Sequence, residues 1–353
     1  MKILFIYNNS LDGSFGGSQR TIQNFEGLKI HFDVIPYELK NKNNKIKTFI
    51  QSLFGYISNA TIFDFKKIKN EILNNGIQYI FFDQATHGKL VKKVRLIKNI
   101  QIMEVFVHYH NNEQQYYHDL LQQQGLLYFS VYRAAKKNQK LSLKYATSNI
   151  FITKEDSVSV GTSTGRKIII PITLKNNYCY QPLKNKTESS YALFLGAATY
   201  ANIEGAKYIL KNLAPQCGNI KFVIAGKGMK ESLNNEKIPM NVSIFNFIED
   251  LKPLFENAFV FLVPLFSGSG MKVKIAEALM YGKKVIGSPL AWWGYELPSN
   301  CYICKNQAEY IEILNELKDA KNFYNNASTE IFNRYYNHIL NETYYLSLQE
   351  GLK

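Results

Sequence analysis

Cysteine is scarce: 4 residues in a chain of 353. So few cannot build the disulfide framework of a small secreted scaffold. Cys301 and Cys304 form a lone CxxC, with no second pair and no nearby histidine to complete a zinc site. Long apolar runs are missing as well. None reaches the ~18 residues that a membrane-spanning helix needs. The N-terminus, MKILFIYNNS, has too short an apolar stretch for a signal peptide and reads as a first strand, which places the expected site of action in the cytoplasm. There is no GxGxxG, no Asp-x-Asp, and no pair of carboxylates at a spacing that suggests glycoside hydrolysis. An RNP sequence, a zinc-finger pattern and an arginine-rich stretch are equally lacking, so nucleic acid is not an expected partner.

What is present suits a large folded protein. Hydrophobic residues make up 46% and charged residues 20%, close to globular usage, and Tyr (24) and Phe (23) can fill sizeable cores. The length fits two domains of roughly 150–200 residues each. The formal net charge of +14 favours an anionic partner, such as a phosphorylated small molecule or an acidic membrane face. The heavy joint use of Lys, Asn and Ile would by itself produce much of that charge.

Short apolar runs alternate with helical stretches along the chain. Strands are expected at Lys2–Tyr7, His31–Pro36, Ile77–Phe82, Ile100–His108, Asn149–Thr153 and Lys167–Ile170. A polar tract over Thr173–Ser190 reads as a linker. Beyond it, Tyr191–Leu195, Lys221–Ala225, Val260–Pro264 and Lys284–Ser288 alternate with helices again. Strand–helix alternation in both halves predicts an α/β protein of two doubly wound, Rossmann-like domains facing across a cleft. The boundaries read as 1–173, 174–328, and a terminal helix over 329–353 that would cross back to the first domain. In such domains ligands bind beyond the carboxyl ends of the strands, so the loops there are where chemistry is sought.

Five loops carry candidates. The first, Gly13 to Ser18 with Gly16 and Gly17, lies between the first strand and a helix that opens with Gln19 and Arg20; glycines let backbone amides approach a ligand. The second runs from His108 and His110 to Glu113, followed by Tyr116 and Tyr117. A histidine there can bond a sugar hydroxyl or orient a phosphate, and no acidic pattern completes a metal site. The third is Gly196 to Asn202, and the fourth is Gly226-Lys227-Gly228, where a lysine adds a point charge. Ordinary strand-to-helix turns would use the same residues in each of these four. The fifth is the most specific. Pro264 ends an apolar strand, Gly268-Ser269-Gly270 loops into Met271, Lys272 and Lys274, and Glu277 follows one helical turn on. Amides at a helix start cradle a pyrophosphate, lysines offset its charge, and a carboxylate accepts both hydroxyls of a ribose.

This fifth segment resembles the donor-binding segment of retaining GT-B enzymes of glycosyltransferase family 4, the glycosyl transferases group 1. The resemblance rests on Pro264-Leu265, Gly268-Ser269-Gly270, Lys272, Lys274, Glu277-Ala278-Leu279-Met280 and Gly282 to Ile286. Leu195-Gly196 with Asn202, Ile224 to Gly228, Glu249-Asp250-Leu251, His110 to Glu113 and Gly16-Gly17 agree with it in order. The resemblance implies the GT-B fold and a UDP-sugar as the expected donor. It also implies catalytic roles for His110, Lys272 and Glu277, with Glu277 on the donor ribose. Gly196, Asn202, Lys227, Gly268, Ser269, Gly270, Met271 and Lys274 would contact the donor; Gly16, Gly17, Arg20 and Glu113 would contact the acceptor. No cofactor or metal is implied. The family pattern carries a first glutamate where this chain has Ser269, which leaves the donor sugar open, and Ala197 or Ala198 stands where a basic residue is common.

The implied reaction moves a sugar, with retention, onto a glycan or lipid-linked saccharide, as in capsule or O-antigen synthesis. The leaving phosphate would help deprotonate the acceptor. Lysines at 66, 67, 69, 89, 92, 93, 98, 136, 137 and 140, with Arg95 and Arg133, suit docking on an anionic leaflet or simply a solvated face. Rival readings are a sugar-nucleotide epimerase of the same fold, which releases UDP without an acceptor, a basic nucleic-acid-binding protein, and a non-catalytic relative.

Overall fold

The first strand shows why the sheets form. In the computed structural model, β1 (Lys2–Tyr7) sends alternate residues to opposite faces: Ile3 and Phe5 join one core cluster, Leu4 and Ile6 another. A strand apolar on both faces must be covered on both, which is the signature of a parallel α/β sheet. The structure describes all residues except 9–10, 12–15, 41–44, 99–101, 177, 179–189, 247, 269, 321 and 351–353. Most of the expected linker, and Gly13, Ser14 and Ser269, therefore lie outside the described residues.

The chain divides into two compact units. The first comprises Met1–Ile172 and Leu340–Lys353. Its strands are β1, β2 (Asp33–Glu38), β3 (Tyr79–Phe82), β4 (Glu104–Tyr109), β5 (Ser148–Phe151) and β6 (Arg166–Ile169), in the order β2-β1-β3-β4-β5-β6. Every pairing is parallel, with Leu4 opposite Ile35 on one side and Ile80 on the other. Pro36 is tolerated because β2 is an edge strand. One face carries Ile80, Phe82, Val105 and Val107; the other carries Phe81 and Phe106 together with Tyr345 and Leu348 of the C-terminal helix.

The second unit, Thr173–Ile339, holds β7 (Tyr191–Leu195), β8 (Lys221–Ala225), β9 (Val242–Phe245), β10 (Ala258–Val263), β11 (Val285–Gly287) and β12 (Tyr302–Ile303). The order is β12-β11-β10-β7-β8-β9, again all parallel. Strands β9 and β12 are absent from the sequence reading. Both are edge strands, one half-exposed and the other only two residues long, so neither forms an apolar run.

The terminal stretch expected as one helix over 329–353 is broken. Asn337 takes an extended backbone and bridges to Leu174, whose amide donates to the Tyr336 carbonyl (2.7 Å) and whose carbonyl accepts from the His338 amide (2.8 Å). Helical residues end at Tyr336 and resume at Leu340. Among the described residues no helix is long and apolar enough to cross a membrane.

Candidate active site

In the second unit the strand order reverses between β7 and β10. Loops at that reversal open a crevice at the carboxyl edge of the sheet. The loop after β7 begins at Gly196, whose amide donates to the Ala225 carbonyl at 2.9 Å; the Ala198 amide donates to the Lys227 carbonyl at 2.9 Å. The third and fourth sequence loops thus form one structure. Gly226 is required there, because a Cβ on it would lie 1.8 Å from the Gly196 carbonyl oxygen. Asn202 closes the β7 loop by donating to the Ala197 carbonyl at 2.8 Å. Lys227 is exposed beside it.

The loop after β10 lies against the helix Tyr200–Tyr208. A Cβ on Gly205 would meet the Pro264 carbonyl oxygen at 2.7 Å, and Ser267 Oγ donates to Glu204 Oε2 at 2.7 Å. Gly268 (φ 96°) and Gly270 (φ 70°) take left-handed backbone, which a side chain would strain. Lys272 caps the helix Val273–Met280, and its Nζ donates to the Gly270 carbonyl at 2.9 Å. Its own carbonyl accepts from Tyr295 Oη at 2.9 Å. Met271 is buried. Further along the helix, Lys274 Nζ and Glu277 Oε2 pair at 2.7 Å. This ion pair holds the Glu277 carboxylate one turn from the helix start, where the amides and lysines are best placed for an anion.

In the first unit the reversal falls between β1 and β3, and a buried carboxylate marks it. Asp83, directly after β3, accepts from Thr21 Oγ1 and Asn24 Nδ2, each at 2.6 Å, both from the helix Gly16–Lys29. His110, directly after β4, brings Nε2 to 3.3 Å from Asp83 Oδ2. The approach is close but off the hydrogen-bond line, so this buried nitrogen has no aligned partner among the described residues. His108 meets His110 edge to face at 4.8 Å. Arg20 turns inward: its guanidinium bonds His108 Nε2 (3.1 and 3.2 Å) and the carbonyls of Ile170 (2.9 Å) and Pro171 (3.0 Å). Burial and this cation push the His108 imidazole well below its usual range. Glu113 opens the helix Glu113–Gln124, and its burial raises the carboxyl to about 7 against the opposing influence of His110. Gly16 and Gly17 begin the first helix.

Asp83, His108 and His110 could each offer a ligand atom within 4.8 Å of the others. This carboxylate beside two histidines was not foreseen from the sequence, and His108 Nδ1 and His110 Nε2 have no aligned partner among the described residues. Arg20 already occupies His108 Nε2, and both Asp83 oxygens already accept hydrogen bonds from Thr21 and Asn24. Asp83, Thr21, Asn24, Glu204 and Tyr295 were not singled out from the sequence. Only Asp83 left a signal, as the one acidic residue ending a fully apolar strand.

Two six-stranded parallel sheets with covering helices and a loop site at each order reversal define an α/β protein of the GT-B fold. Residues 189–317 match the model of the family described as glycosyl transferases group 1. The chain is similar in structure to HepE of Anabaena in complex with UDP-glucose, at 12% identity and a TM-score of 0.67, covering 99% of this chain and 100% of that one. It is similar to the lipopolysaccharide outer core galactosyltransferase WaaB, at 14% identity and a TM-score of 0.69, covering 99% and 100%. A trehalose-6-phosphate structure from E. coli bound with UDP-2-fluoro glucose gives 11% identity and a TM-score of 0.65, covering 100% and 99%. No curated protein sequence matches the chain.

Proposed function

We propose that the chain is a retaining glycosyltransferase that moves a sugar from a UDP-sugar to a glycan or lipid-linked saccharide acceptor, in the manner of family 4 enzymes of surface polysaccharide synthesis. The observation that carries this reading is the element from Pro264 to Glu277. It joins a glycine loop, a helix start, two lysines and a carboxylate at the order reversal of the sheet, inside the segment matching the group 1 family. Similarity to proteins holding UDP-glucose and UDP-2-fluoro glucose supports a UDP-sugar donor.

The chemistry follows from charge. The bond from the anomeric carbon to the diphosphate oxygen breaks, and the acceptor oxygen bonds to that carbon on the same face. Amides preceding Val273 and the ammonium of Lys272 stabilise the departing diphosphate; Glu277 holds the ribose. The departing phosphate oxygen receives the acceptor's proton. His110, with Nε2 3.3 Å from Asp83 Oδ2, faces the sugar. No metal is required in this scheme, because fixed dipoles and lysines supply the positive charge. Lysines on the first unit would hold it at an anionic leaflet on the cytoplasmic side, where a lipid-linked acceptor resides.

Ligand-induced thermal shift without added metal is the test. UDP and one UDP-sugar are expected to raise Tm, while GDP and CMP do not. The rise is expected to vanish in Glu277→Ala and to weaken in Lys272→Ala. A folded protein that shifts with no nucleotide would overturn the reading.

A further inference from the structure

The helix Lys45–Leu53 is built inside out. Ile46, Phe49, Ile50 and Leu53, at spacings of three, one and three, make its apolar face, and Phe54 extends it. All five are exposed, Ile46 at 69% and Leu53 at 62%. The polar Ser52 instead faces inward, where its Oγ meets Ser130 Oγ at 2.7 Å. Ile62 and Phe63, in the turn that follows, are exposed at 51% and 69%. An apolar helical face turned to solvent is a patch that folded proteins normally bury or use.

Cations surround this face. Lys89 Nζ bonds the Phe54 carbonyl and lies 4.8 Å above the Tyr56 ring; Lys93 Nζ donates to Tyr56 Oη at 2.9 Å. The helix Phe129–Tyr145, which carries Ser130, exposes Arg133, Lys137 and Lys140 at spacings of four and three, with Phe129 one turn before them. None of these five cations has a carboxylate partner among the described residues. Lys89 is close enough to Lys93 and Lys137 for their charges to lower its pKa, after burial as the larger cause. Such a cluster repels a second copy of itself and attracts a surface dense in negative charge.

We propose that Ile46, Phe49, Ile50, Leu53 and Phe54 form a wedge that inserts into the headgroup–acyl boundary of an anionic bilayer, with Lys89, Lys93, Arg133, Lys137 and Lys140 on the lipid phosphates. The proposal rests on the reading of the first unit as membrane-docked and adds insertion to charge attraction. Apolar side chains enter the interface while lysine stems lie along it and keep their ammonium groups among the headgroups. The wedge thereby fixes which face of the first unit meets the membrane.

The test uses the full chain and vesicles of phosphatidylcholine with or without phosphatidylglycerol. In Phe49→Trp, the added emission is expected to shift to the blue on anionic vesicles and to be quenched by lipids brominated in their acyl chains. A combined Ile46→Ser, Phe49→Ser, Ile50→Ser, Leu53→Ser variant, altered only at exposed positions, is expected to bind anionic vesicles at least about tenfold more weakly. Vesicle binding by that variant equal to wild type would overturn the wedge and leave charge attraction alone. Binding of Phe49→Trp without a blue shift or quenching would do the same. Concentration-dependent dimers that the serine variant abolishes, with no vesicle binding, would assign the face to a second copy instead. UDP-induced thermal shift on the same samples separates the two readings: its absence while insertion persists counts against glycosyl transfer alone.

Discussion

Buried titratable groups in the first unit pull stability in opposite directions with pH. Burial raises the Glu113 carboxyl from 4.5 to about 7 and lowers the His87 imidazole from 6.5 to about 4. The folded protein holds the Glu113 proton more tightly than the unfolded chain does. That contribution is full below 4.5 and is lost as pH rises through 7. His87 holds its proton less tightly when folded, so its contribution is full above 6.5 and is lost as pH falls through 4. Each is worth at most about 3 kcal/mol. The two slopes oppose one another between pH 4.5 and 6.5. Glu113→Gln is therefore expected to lose stability more steeply than wild type on acidification. His87→Leu, which removes two buried nitrogens that have no partner among the described residues, is expected to lose it less steeply. Urea midpoints at pH 5 and pH 7 check both, and profiles parallel to wild type would show that neither burial is as described. The same residues show what a sequence conceals. His110 and Glu113 were legible because they follow an apolar strand. Arg20 was legible as a cation at a helix start, yet its inward turn to His108 depends on the Ile170 and Pro171 carbonyls, some 150 residues away.

Loops that fold as pairs explain which elements could be read and which could not. An apolar run followed by glycines identifies a strand end from local order alone, and β1, β7 and β8 stand where their runs predict. The contact between the β7 and β8 loops is a register property of the sheet, invisible until Leu193 is set opposite Val223. That contact separates two glycine substitutions. In Gly226→Ala the new methyl would overlap the Gly196 carbonyl, a backbone atom that cannot rotate away. In Gly268→Ala the nearest neighbours are Ala201 Cβ at 3.6 Å and Lys272 Nζ at 3.9 Å, so only the left-handed backbone resists. Gly268→Ala is expected to cost about 1–2 kcal/mol and to keep a reduced UDP shift. Gly226→Ala is expected to cost more and to lose the shift. Thermal melts with and without UDP rank them, and the reverse order would refute the paired-loop geometry.

At the scale of the whole chain, the final helix belongs to the unit that the chain built first. Residues 340–353 group with Met1–Ile172, and Tyr345 and Leu348 are fully buried in that unit's core. Tyr345 packs so closely on Gly27 that a Cβ there would lie 2.2 Å from its ring. Its hydroxyl donates to Asn24 Oδ1 at 2.6 Å, and Asn24 in turn donates to Asp83 at 2.6 Å. The C-terminal helix is thus linked by two hydrogen bonds to the carboxylate beside His110. Ending the chain at Ile339 removes a buried tyrosine and a buried leucine from the first unit's core. Such losses cost about 3–5 kcal/mol for the larger side chain alone. The first unit should then melt about 10 °C or more below its intact value, splitting the unfolding trace into two steps. UDP should raise the upper step only, because the residues proposed to bind the donor, from Gly196 to Glu277, all lie in Thr173–Ile339. A single unshifted transition in the truncated chain would mean that the helix contributes little to the first core. A rise of the lower step with UDP would instead assign the nucleotide to the first unit and displace the donor site from the loops after β7, β8 and β10.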